Sequence, residues 1–125
     1  MRLFRRRSTI PLVADESVLT PADAERLLSG GAADGVNIKI AKSGLAGALK
    51  IIRIARRLKK MLAIGCMEES KIGLAASVHL ACGTGVFEWI DLDSVFLMKS
   101  SRVRGGFTIK GATLSVRGIG PGIGI

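Results

Sequence analysis

Tyrosine is missing altogether, and one Trp with four Phe brings the aromatic share to only 4%. A chain so poor in rings offers no stacking platform for bases, which argues against a single-strand nucleic-acid groove. There is a single histidine, His79, so no second imidazole exists to share a metal with it. It reads as a packed or surface residue on an apolar helix. The two cysteines, Cys66 and Cys82, lie sixteen positions apart in apolar stretches and form no CxxC pair. Buried thiols in a reducing compartment are the simplest expectation. Nothing approaches the ~18 apolar residues of a membrane span, because Glu68, Glu69 and Lys71 interrupt the longest candidate. The start, MRLFRRRSTIPLVA, is basic, but its apolar part is too short for a secretory signal. These absences leave a cytoplasmic protein with no membrane partner as the expectation.

Acidic residues are also scarce: ten against nineteen Lys and Arg, for a net charge of +9. The excess is local, with Arg2, Arg5, Arg6 and Arg7 at the start and Arg53, Arg56, Arg57, Lys59 and Lys60 on a second segment. Both clusters read as solvated helix faces, and charge alone does not make a nucleic-acid or phosphate binder. At 125 residues and 48% hydrophobic, the chain suits one aliphatic globular domain.

The order of elements carries more information. Residues 10–14 form a short apolar run, read as a buried strand. Thr20-Pro21 sets an N-cap and an N1 proline before a helix over 22–28, and Gly30-Gly31 ends it. A second strand follows at 36–40, then a helix from about 45 to 60 that Ser43 can cap. Residues 62–66 form a third strand, Ser70 opens a helix to about 81, and 88–92 is extended. Residues 106–116 alternate around Lys110-Gly111 like a hairpin, and the Gly-rich end is a loop. Strand and helix in strict alternation signal parallel βα units.

In such folds side chains that do chemistry gather at the C-terminal ends of the strands. Asp15, Glu16 and Ser17 end the first strand here. Asn37 and Lys39 share a face of the second. Met67, Glu68 and Glu69 follow the third, and Asp91 and Asp93 share a face on the fourth. Polar groups therefore converge at one end of all four strands, which packing alone does not predict.

Four stretches in order, VADES (13–17), GVNIKIAKSG (35–44), IGCMEES (64–70) and DLDSVFL (91–97), resemble the second half of an enolase-superfamily barrel. Within it they are most similar to the muconate-cycloisomerase-like branch, and there to the dipeptide epimerases that act on L-Ala-D/L-Glu. The resemblance runs from about Ser8 to the PGIGI terminus. It implies a parallel (β/α) half-barrel, the C-terminal half of a TIM-like barrel, followed by a tail directed to a capping domain.

The resemblance also implies a chemistry. Three carboxylates of the family bind Mg2+, which stabilises the enediolate formed when a substrate α-proton leaves. Asp15 matches the third carboxylate, with Glu16, Asn37 and Glu69 as supporting candidates. Lys39 matches the lysine that exchanges the proton on one face. Asp91 and Asp93 match the pair that receives a dipeptide's α-ammonium group. Magnesium needs oxygen ligands, an α-proton beside a carboxylate needs cationic help to leave, and two carboxylates suit a cation with three donors.

The family's first lysine motif, its first two metal carboxylates and its capping domain have no counterpart. The chain is thus expected to be a single partial domain over 1–125, starting in mid-barrel. A truncated isomerase, inactive alone, follows, which would self-associate or await a missing N-terminal half. Three other readings stay open: a cycloisomerase or o-succinylbenzoate synthase-like fragment, a non-catalytic oligomerising half-barrel, and a basic phosphate binder. Asp15 and Lys39 also suit a plain salt bridge at a strand end. Lys42 reads as a loop residue or a second lysine, the stretch 42–47 as a phosphate cradle or a close helix contact, and Trp89 and Phe87 as packing under the last strand.

Overall fold

The computed structural model describes residues 1–98 and 101–125. Eleven elements follow one another among them: α1 (Arg2–Arg7), β1 (Val13–Ala14), α2 (Pro21–Ser29), β2 (Gly35–Ile38), α3 (Ile40–Arg57), β3 (Met61–Gly65), α4 (Lys71–Thr84), β4 (Trp89–Asp91), α5 (Ser94–Leu97), β5 (Thr108–Lys110) and β6 (Thr113–Ser115). The first four strands form one all-parallel sheet in the order β1-β2-β3-β4. The last two form a separate antiparallel hairpin. This is an α/β half-barrel, as the alternation of elements implies.

One face of the sheet makes the core. Val36 and Ile38 of β2 stand beside Leu62 and Ile64 of β3 in register, and helices cover them with Leu28, Ile51, Leu74 and Val78. Parallel strands need such cover because their crossovers put helices on the face. The alternate residues Asn37, Ala63 and Trp89 turn to the concave side, as the period of two requires.

Local chemistry sets the boundaries. Thr20 accepts from the Asp23 amide at 3.2 Å while Asp23 accepts from the Thr20 amide at 3.0 Å, a reciprocal cap on α2. Ser70 accepts from the Gly73 amide and opens α4, and Gly85 closes it in a left-handed conformation. Several boundaries differ from expectation. The strand expected at 36–40 ends at Ile38 because the chain turns into α3 there, so Lys39 stands just past the strand rather than on its face. The strand expected at 10–14 shrinks to Val13–Ala14, because the Ser8 hydroxyl binds both the amide and the carbonyl of Ile10 and holds that residue out of the ladder. The fourth strand ends at Asp91, so Asp93 is not on it: it precedes α5, a four-residue helix too short to leave a periodic signal. Ser43 caps nothing. Its hydroxyl donates to the Gly44 carbonyl, and Gly44 (φ 65°) breaks α3 into one turn and a long helix.

The hydrophilic ends are tied down as well. Arg5 of α1 reaches Asp34 at 2.7 Å, and Asp34 accepts from the Leu12 amide at 3.0 Å. Arg5's hydrogen bond holds the Asp34 carboxyl below its ordinary value. His79 has a structural partner, the Gly106 carbonyl at 2.8 Å, which fixes the segment before the hairpin to α4. No described helix is long and apolar enough to cross a membrane.

Candidate active site at the strand ends

Asp15 follows β1, and three donors from the β2–α3 junction close on it. Asn37 Nδ2 donates to Oδ2 at 3.0 Å, Lys39 Nζ lies 3.2 Å from Oδ2, and Lys42 Nζ donates to Oδ1 at 2.7 Å. Lys42 also donates to the Asp15 carbonyl at 2.7 Å, so one ammonium fixes both the side chain and the backbone. Lys39 makes a second contact, to Glu16 Oε1 at 2.9 Å. The break at Gly44 explains the arrangement. The turn before it carries Lys42 three residues after Lys39, and residues so spaced lie on one side of a helical turn.

These contacts differ in worth. Glu16 is largely exposed, so its ion pair is screened and weak. The Lys42 side chain is only 7% exposed and the Lys39 side chain 13%. Their ammonium groups are shielded, and hydrogen bonds to charged groups in such places count for more. Burial works to raise the Asp15 carboxyl, but the hydrogen bonds from Lys42, Asn37 and Lys39 outweigh it and hold Asp15 ionised below the usual range. The Glu16 hydrogen bond, opposed by burial and aided by Asp15, holds Lys39 above the usual lysine value. In this arrangement Lys39 is an ammonium, a proton donor. To accept a proton it must first give one up, a step that the two carboxylates oppose.

Asp15 and Asn37 share a cavity of about 330 Å³ with Asp91, Ala63 and Trp89. Asp91 reaches a second cavity of about 370 Å³, where Asp93 joins it. The Cys66 thiol stands 3.6 Å from Asp93 Oδ1 and 3.5 Å from the Asp91 carbonyl. Glu69 stands apart: it accepts from the Met67 amide at 3.1 Å and lines a different cavity with Glu68 and Ser94. Both cysteines are free, but the expectation of burial is not met. Cys66 is half-buried, and Cys82 is exposed because the cavity beside β4 is uncovered. Trp89 is likewise half open on the concave side rather than packed beneath the strand.

Magnesium can be tested against these donors. No group of three or more His, Cys, Asp or Glu side chains is arranged to hold a metal ion among the described residues. Both oxygens of Asp15 already accept from Lys or Asn. These residues do not make a magnesium site by themselves.

Lys42 is the residue that the sequence reading undervalued. Its signal was its spacing of three from Lys39, hidden because the turn is too short to show a period.

A parallel β/α sheet that gathers carboxylates and lysines at its C-terminal edge defines part of a barrel of the enzyme type. The chain belongs to the enolase C-terminal domain-like family, which matches it over residues 1–125. It is 44% identical over 117 residues to the L-Ala-D/L-Glu epimerase of Thermotoga maritima, covering 94% of this chain and 34% of that one. A mandelate racemase/muconate lactonizing enzyme of Roseiflexus sp. superposes with a TM-score of 0.91 at 39% identity, over 98% of this chain and 35% of that one. The dipeptide epimerase of Enterococcus faecalis, solved with Mg and L-Leu-L-Tyr, superposes at 0.81 with 34% identity, over 86% and 31%. The chain therefore spans about a third of the length of the relatives it matches.

Proposed function

We propose that this chain carries one proton-transfer arm and the ammonium-binding end of a dipeptide-epimerase active site. The observation that carries the reading is the single cavity lined by Asp15, Asn37 and Asp91, with Lys39 on the Asp15 carboxylate at its rim. Lys39 Nζ is the group that delivers or removes the proton at the substrate α-carbon on one face. Asp91 and Asp93 hold the α-ammonium group of the dipeptide, which sets the α-carbon against Lys39. That pair favours a dipeptide over the cyclic diacids of related cycloisomerases. Asn37 and Lys42 keep Asp15 oriented, and Asp15 would give one oxygen to a Mg2+ ion. The other ligands, and the lysine for the opposite face, come from outside the described residues. The chain in this reading is a partial domain working in the cytoplasm, and it does not epimerise a dipeptide alone.

The test is deuterium exchange at the α-carbon of Ala-Glu, followed by NMR in D2O with magnesium. The chain alone should show none. Co-expression with the N-terminal portion of the Thermotoga relative should restore exchange, and Lys39→Ala should abolish it again. Exchange that survives Lys39→Ala in the restored enzyme would overturn the assignment.

A further inference from the structure

Beside the Asp91–Asp93 pair lies a separate cavity of about 300 Å³, lined by Glu68, Glu69, Ser94, Leu97 and Met98. One wall is the loop that follows β3, and the other is α5. Glu69 fixes the loop. Its Oε1 accepts from the Met67 amide at 3.1 Å, and its Oε2 lies over Gly73, where a methyl group would meet it at 2.5 Å. Glycine in the first turn of α4 thus makes room for that carboxylate. The opposite wall holds an unsatisfied hydroxyl: Ser94 is 4% exposed, and its buried Oγ has no hydrogen-bond partner among the described residues. Such a group costs stability until something bonds to it.

The chemistry of the lining points to a cation with an aliphatic stem. Among the described residues neither Glu68 nor Glu69 meets a Lys or Arg side chain. The cavity therefore offers two carboxylates and an accepting hydroxyl with no positive charge of its own. Leu97 and Met98 supply the apolar surface along which the methylenes of a long basic side chain lie. A metal ion suits the place less. One Glu69 oxygen is committed to an amide, and no three ligating side chains are grouped among the described residues. Position ties the cavity to the site: Ser94 follows Asp93 directly, and Cys66, just before Met67 and Glu68, stands 3.6 Å from Asp93 Oδ1. A residue held by its α-ammonium group on Asp91 and Asp93 has its own side chain next to this cavity.

We propose that the cavity receives the ammonium or guanidinium group of a Lys or Arg at the first position of the dipeptide. Glu68, exposed at the rim, supplies the charge. Ser94 Oγ accepts an N–H from the bound group, and Glu69 holds the loop that carries Glu68. This rests on the epimerase reading for the place of the α-ammonium group, and it names the substrate class: dipeptides that begin with a basic residue.

NMR titration of the 125-residue chain with Lys-Ala, norleucyl-Ala and Glu-Ala tests it, since norleucine keeps the aliphatic stem without the ammonium. Lys-Ala should shift the amides of Glu68 and Ser94 as well as those of Asp91 and Asp93. It should bind at least ~10-fold tighter than norleucyl-Ala, with Glu-Ala weakest. Glu68→Gln should remove the advantage of Lys-Ala and leave norleucyl-Ala unchanged, and Ser94→Ala should reduce that advantage. Equal affinity for Lys-Ala and norleucyl-Ala, with shifts at Asp91 and Asp93 alone, overturns the proposal and leaves the epimerase reading standing. Shifts at Glu68 and Ser94 without any at Asp91 and Asp93 support the cation pocket and count against that reading. Millimolar magnesium that reproduces the Glu68 and Ser94 shifts marks a metal site and overturns the proposal, as does a chain whose four amides respond to no dipeptide.

Discussion

Gly65 and Asn37 occupy space that admits no side chain between them: a methyl group on Gly65 would stand 2.8 Å from Asn37 Nδ2 and 3.3 Å from Lys39 Cε. The missing Cβ on β3 is what lets the Asn37 amide lie across the strand end and reach Asp15. Gly65→Ala should therefore cost about 1–3 kcal/mol by overpacking. Urea unfolding measures it, and combining it with Asn37→Ser should recover part of the loss. A fully additive double mutant would show that the two residues do not compete for the same space.

Lys42→Met should remove the anchor that holds the Asp15 carboxylate and carbonyl together. A shielded ammonium with two hydrogen bonds at 2.7 Å is worth about 1.5–3 kcal/mol. The expected signs are that loss in chemical denaturation and a shift of the Asp15 and Glu16 amide resonances. A Lys42→Met chain as stable as the parent would mean that Asn37 and Lys39 suffice.

Stability should fall with acid in a defined window. The hydrogen bonds to Asp23 from Thr20 first and Arg26 next depress its carboxyl from 3.8 to about 2. A carboxyl depressed in the folded state stabilises fully above its unfolded value, and the contribution disappears as pH falls through the folded one. The loss should therefore run from 3.8 down to about 2, with Asp34 and Asp15 adding in the same direction. Denaturation at about pH 5, 3 and 2 reads this slope. Asp23→Asn should flatten it, and an unchanged slope would remove Asp23 from the account.

In an enzyme restored by co-expression, two carboxylates should separate by kinetic signature. Asp15→Asn should lower kcat and weaken the response to magnesium, while Asp91→Asn should chiefly raise KM for the dipeptide by about tenfold or more. Steady-state kinetics over a magnesium series checks both. Equal effects of the two substitutions on KM alone would merge their roles.

The sheet and its order were readable because each strand is an apolar run followed by a turn or cap with its own chemistry. Thr20-Pro21 and Ser70 marked helix starts by side chains that satisfy amides locally, and the structure uses both. That Asp15, Glu16, Asn37 and Lys39 would meet was readable as well, since strand ends in a parallel sheet share one edge. What escaped the sequence depends on contacts that no period encodes. Asp93 leaves the strand because the chain turns into α5 after Leu92, so a spacing of two did not mean a shared strand face. Ile10 leaves the ladder through one serine hydroxyl. Lys42 becomes the principal partner of Asp15 only because Gly44 stops the helix after a single turn.

That stop at Gly44 divides α3 into parts with different allegiances. The thirteen residues from Leu45 to Arg57 pack on α2 and belong to the outer layer, whereas the turn that holds Lys42 continues directly from β2. Gly44 joins the two at φ 65°, a conformation that glycine adopts at little cost and other residues do not. Gly44→Ala should therefore strain that joint, and shifted Lys42 and Asp15 resonances in the variant would show that the strain reaches the strand ends.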